Sequence, residues 1–72
     1  MTDEQERKRA FVQCRLRVLL QGVEPYFFKD ADYYVENGEE YVRIKYFAKS
    51  DKVVCVTADS LKALTIDVIR HI

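Results

Sequence analysis

Asn37-Gly38 is the feature that most restricts what this chain can become. Both residues tolerate positive φ, which a two-residue type I′ turn requires at its central positions, and such a turn dictates the pairing of the strands beside it. From Asp30 to Thr57 the chain reads DADYYVENGEEYVRIKYFAKSDKVVCVT, with runs of Tyr, Val, Ile and Phe on either side of the dipeptide. A second polar break, Lys49-Ser50-Asp51-Lys52, leads into Val53-Val54-Cys55-Val56. The stretch is therefore predicted as three antiparallel strands, over about 30–36, 40–48 and 53–57.

With Asn37-Gly38 as the loop, Tyr34 faces Tyr41, Asp32 faces Arg43, and Asp30 faces Lys45. Opposite charges set across a strand pair contribute roughly 0.2–1 kcal/mol, and a slip of one residue would scramble them. Val35 against Glu40 is the mismatch, placed next to the turn where both side chains are expected in water. Across the second break, Tyr46 is set against Cys55 and Ala48 against Val53. Alternation then collects Ala31, Tyr33, Val42, Ile44, Tyr46, Ala48, Val53 and Cys55 on one face, the expected core. The opposite face carries Asp32, Tyr34, Tyr41, Arg43, Lys45, Phe47, Val54 and Val56.

Helical signals stand on both sides of the strands. Thr2-Asp3-Glu4-Gln5 has the spacing of a capping box, and early acids suit the helix dipole. Phe11, Cys14 and Val18, with Val12, Leu16 and Leu19 beside them, form the predicted apolar stripe of a helix over about 3–21. Gly22 is expected as its left-handed C′ residue, with Pro25 preventing continuation. Tyr26 is expected over the edge of the core, and the path of Phe28 is left open. A second helix is predicted over about 59–71, capped by Asp59 or Thr57. Its stripe is Leu61, Leu64, Val68 and Ile72, broadened by Ile66 and Ile69 enough to suggest burial on two sides. The expected architecture is α+β in the order α-β-β-β-α. It is a three-stranded antiparallel meander with both helices packed on one face, in one small domain over residues 1–72.

The chemistry read from the residues is sparse. The single histidine, His71, has no nucleophile or orienting group near it in sequence, and the two glycines, Gly22 and Gly38, are both assigned to turns. Glu36, Glu39 and Glu40 read as a solvated acidic hairpin tip. No catalytic residue, cofactor or metal site is assigned, and the chain is expected not to be an enzyme. Cys14 and Cys55 sit among apolar neighbours and are expected as reduced, buried thiols, with a helix-to-strand disulfide as the alternative. Twelve basic and twelve acidic residues give zero net charge, which weighs against non-specific attraction to nucleic acid or to an anionic membrane. No apolar run is long enough to span a bilayer and no secretory leader is read, so the cytoplasm is the expected location.

The α-β-β-β-α order and the length resemble the double-stranded-RNA-binding domain. That family grips RNA through a basic start to its second helix, the loop between its first two strands, and its first helix. Here the corresponding helix start is Thr57-Ala58-Asp59-Ser60-Leu61-Lys62 and the loop is Glu36-Asn37-Gly38-Glu39-Glu40, both acidic. The resemblance covers topology and none of the contact motifs, so no binding residue carries over. What remains is the aromatic outer face. Tyr34, Tyr41, Arg43, Lys45, Phe47, Val54 and Val56 are the expected partner-binding residues of a small interaction module that meets a second copy of itself or another protein. The alternatives are single-stranded nucleic acid across the same face, or an accessory protein of a phage or mobile element.

Overall fold

A computed structural model describes residues 2–72. Helix α1 runs through three segments, α-helical Asp3–Phe11, π-helical Val12–Leu16 and α-helical Arg17–Val23. Strands β1 (Phe28–Glu36), β2 (Glu39–Tyr46) and β3 (Lys52–Cys55) follow, then helix α2 (Leu61–Arg70). The sheet order is β1-β2-β3, antiparallel throughout, and both helices contribute to one core against one face of it. The fold is α+β, helix-β-β-β-helix.

The first hairpin follows from the turn dipeptide. Asn37 (φ 52°) and Gly38 (φ 79°) both take positive φ, and the register is the expected one, from Glu36↔Glu39 through Tyr34↔Tyr41 to Asp30↔Lys45. Beyond Asp30 the register shifts at a bulge, so that Phe28 pairs with Tyr46. The extra residue reverses the alternation and turns Phe28 into the core beside Ala31 and Tyr33, at 3 % exposure. Phe28 therefore belongs to β1, whereas Tyr26, expected over the core edge, is 85 % exposed.

The second hairpin departs from expectation. Val53 pairs with Arg43 and Cys55 with Tyr41, not with Ala48 and Tyr46. The strand β2 ends at Tyr46, Ala48 bends at φ 68°, and the connection to β3 is longer than a tight turn. The shift is by an odd number of residues, so every side chain of β3 changes face. Val54 and Val56 enter the core, while Val53 and Cys55 lie outside. A reading from local alternation could not foresee this, because Val53-Val54-Cys55-Val56 is apolar at every position.

In α1 the buried line is Lys8, Val12, Leu16 and Leu20, at strict spacings of four; Val12 and Leu16 are buried as expected and Phe11 packs against the core part-buried, but Cys14, Val18 and Leu19 are exposed. Such a line drifts about 40° per step around a regular α-helix. The wider i→i+5 turn of the π segment, where the Arg17 amide reaches the Val12 carbonyl, takes back part of that drift and keeps the line on the sheet. Cys14 and Val18 (74 % exposed) consequently face solvent. Both cysteines are free and exposed, Cys14 on the helical side and Cys55 on the far side of the sheet, so neither the buried reading nor the disulfide holds. The helix also continues through Gly22 to Val23, and Glu24 ends it before Pro25.

Helix α2 is capped by Ser60, which accepts from the Ala63 amide at 3.1 Å, in place of Asp59 or Thr57. Leu64 and Val68 are fully buried, whereas Ile66 and Ile69 remain 43 % and 40 % exposed, so the stripe is covered only on its sheet side. Ser60→Ala should cost about 1 kcal/mol, read as a lowered midpoint in urea denaturation with an unchanged slope.

Candidate functional site

The outer face of the sheet is the surface that no other element covers. Tyr34 on β1 and Tyr41 on β2 are direct cross-strand partners, and their rings stack with centroids 5.4 Å apart and planes 26° from parallel. The Arg43 guanidinium lies 4.9 Å from the centroid of Tyr34, a cation–π contact on the same face. Partial burial, with Cys55, Glu39 and Glu36 nearby, raises the Tyr41 phenol above its ordinary value. On the β3 side the patch is completed by Val53, 48 % exposed, and by Cys55.

Charges frame the patch in alternate signs. Lys45 Nζ sits 3.3 Å from Asp32. From the helical side Arg17 reaches round the β1 edge to Asp30 (2.7 Å) and Asp32 (3.1 Å), and its Nε donates to the Ala31 carbonyl at 3.0 Å. That last bond occupies a carbonyl on the free edge of β1 and blunts it against pairing with another strand. Glu36 and Glu39 close the hairpin end, Glu39 accepting from the Thr57 hydroxyl at 2.7 Å.

Of the residues expected on this face, the structure brings together Tyr34, Tyr41, Arg43 and Lys45. Phe47 lies past the end of β2, its amide bonded to the Phe27 carbonyl and Lys29 Nζ 6.0 Å from its ring, some way along the strand from the tyrosines. Val54 (4 % exposed) and Val56 (0 %) are core residues and leave the face to Val53 and Cys55. Parity alone separates the two sets, so the signal for Val53 and Cys55 was the register of β3, which the sequence leaves open.

The acidic hairpin tip also differs from expectation. Glu40 is buried, and its carboxylate accepts from the Tyr33 hydroxyl at 2.6 Å and from Lys8 Nζ at 3.0 Å. Lys8 donates again to the Val56 carbonyl at 3.2 Å, and the Glu40 amide to the Thr57 hydroxyl at 2.8 Å. Burial by itself would raise the Glu40 carboxyl, but the Tyr33 hydroxyl and the Lys8 ammonium outweigh it and hold the group below its ordinary value. Tyr33, buried against that carboxylate, is pushed up. The network joins α1, β1, β2 and the segment after β3, and its donors and acceptors are directed at one another. It is built to hold the fold together.

Two depressions lie on the helical side, one of about 190 Å³ beside Lys8, Asp59 and Ser60, and a groove of about 340 Å³ beside Phe11, Cys14 and Leu61. Burial and the adjacent Asp67 raise the Asp59 carboxyl. Among the described residues no cluster of three His, Cys, Asp or Glu has the geometry to hold a metal. No helix of the described residues is long and apolar enough to cross a membrane. Compared with protein-family models, curated proteins and solved structures, the chain matches none.

Proposed function

We propose that this chain is a small non-enzymatic interaction module that docks a protein partner on the outer face of its sheet. The observation carrying the proposal is the stacked Tyr34–Tyr41 pair with Arg43 over it, on a face left uncovered by both helices. Tyr and Arg are the residues that most often anchor protein contacts, because each combines a large apolar area with a polar end. Val53 extends the apolar centre, and the charged rim balances in sign. That balance favours a protein over single-stranded nucleic acid. Lys45 is engaged by Asp32, and Glu36 and Glu39 stand where a phosphate backbone would leave the face.

Cys55 reports on this face and Cys14 on the opposite side, so thiol alkylation tests the proposal. In an extract of the producing cells, Cys55 should react at least about threefold more slowly than in the dilute purified chain, while Cys14 keeps its rate. Protection that survives nuclease treatment supports a protein partner, and protection lost with nuclease assigns the face to nucleic acid. Equal rates for Cys55 in extract and in dilute solution would sink the proposal.

A further inference from the structure

We infer that the occupant of this face is a second copy of the chain, laid antiparallel across a twofold axis that crosses the strands at the level of Val42. The inference rests on the proposal above and adds the partner and its arrangement. It is carried by the order of charges along β2, whose outward positions read Glu39, Tyr41, Arg43, Lys45.

A twofold axis in the plane between two copies of one sheet face can run along the strands or across them. Along them, β2 lies on its copy in the same direction, so that Glu39, Arg43 and Lys45 each meet their own kind. Across them at Val42, β2 meets its copy reversed. Glu39 then opposes Lys45 of the second copy, and Tyr41 opposes Arg43. The observed registers carry the same axis onto the neighbouring strands: Tyr34, level with Tyr41, opposes Asp32, and Cys55, level with Tyr41, opposes Val53. Opposite charges, a cation and a ring, a phenol and a carboxylate, and two apolar groups are thus matched by one operation. The remaining pair, Glu36 with Asp30, is of like sign, and Arg17 at 2.7 Å already neutralises Asp30.

The geometry of sheet packing permits this. Aligned sheets cross at about 30°, which displaces the outermost Glu39–Lys45 pair sideways by about 5 Å, within the reach of two long side chains. Two strands contributing about eight residues each and a third contributing four, about 4.8 Å apart with about 3.4 Å per residue, offer roughly 330 Å² per copy. That is less than half the ~800 Å² a standard interface buries on each partner, so the dimer is weak and exchanging, and a Kd of about 100 µM or below is what it needs to be the occupant of this face. The blunted edge of β1 and the four-residue β3 leave face-to-face contact as the open route to self-association.

Sedimentation equilibrium on the purified chain tests the inference. The wild type should show a monomer–dimer equilibrium in that range, weakened at least about threefold by 0.5 M salt because its charge pairs are screened. Lys45→Gln and Glu39→Gln, which remove the charges without setting like charges against Asp30 and Asp32, should each weaken dimerisation about threefold, and the double variant should be no weaker than either single. Val53→Glu, at a half-exposed position whose direct cross-strand partner is Arg43, should abolish it without lowering the thermal midpoint. A wild type that stays monomeric at about 300 µM, above the expected Kd, overturns the inference, as does a double variant in which the losses of the two singles add. In the first case, Cys55 protection in extract would leave the docking face standing with a different protein on it.

Discussion

Lys8→Met is expected to lower the stability of the domain by about 3 kcal/mol, because it strands the Glu40 carboxylate in a site with 10 % side-chain exposure. A chain of this size has roughly 4–10 kcal/mol in total, so the variant should melt many degrees below wild type. The cost comes from leaving one charge unpaired more than from the net worth of the pair. Replacing the whole group by apolar residues, Lys8→Met with Glu40→Leu and Tyr33→Phe, should therefore recover most of the loss. Thermal melts of the single and triple variants check both statements.

The same network gives the stability a pH dependence with a definite sign. Glu40 in the folded state lies below its unfolded value, so between the two the unfolded chain binds more protons. The contribution of Glu40 is complete above the unfolded pKa of about 4.3 and is lost as pH falls through the lower, folded value. Urea titrations from pH 6 down to pH 3 should show this slope reduced in Glu40→Gln. A slope equal to wild type would contradict the charged state assigned to Glu40.

Leu16→Ala is the second variant with a large expected effect, about 3 kcal/mol, since Leu16 is fully buried at the C-terminal end of the π segment. Val18→Ala, two residues on, should change stability by no more than about 0.5 kcal/mol, because Val18 is 74 % exposed. The contrast measures which side of α1 faces the sheet. Equal losses from the two would mean that the helix is rotated from its position here.

Much of the fold was legible because it depends on neighbours in sequence. Positive φ at Asn37 and Gly38 sets the first hairpin, and the Asp32–Arg43 and Asp30–Lys45 pairs agree with the register that turn imposes. The capping box at Thr2 and Gln5 forms as read, with bonds of 3.2 Å and 3.1 Å. Tyr34, Tyr41 and Arg43 could be placed together on the outer face for the same reason: they lie within the hairpin whose register the turn decides.

What went astray depends on partners far along the chain. Lys8, 32 residues from Glu40, reads as a solvent lysine until β2 is laid under α1. Glu40 then reads as its buried counter-charge and not as part of an acidic tip. The four apolar residues of β3 carry no alternation to say which face is inward, and the longer connection after Tyr46 made that choice by one odd shift of register. Helix α1 has apolar residues on two sides, and the π segment decided which line of them meets the sheet.

The sequence by itself determined the element order, the first hairpin and the aromatic pair on its outer face, because local sterics and adjacent pairing suffice for these. Only the tertiary structure decided that Val53 and Cys55, not Val54 and Val56, share that face, that Lys8 is buried against Glu40, and that Cys14 and Cys55 stand on opposite sides. The physical reason is one of degeneracy. An apolar run or a two-sided helix satisfies local rules in either orientation, and the choice falls to whichever orientation fills the core and pairs the buried charge.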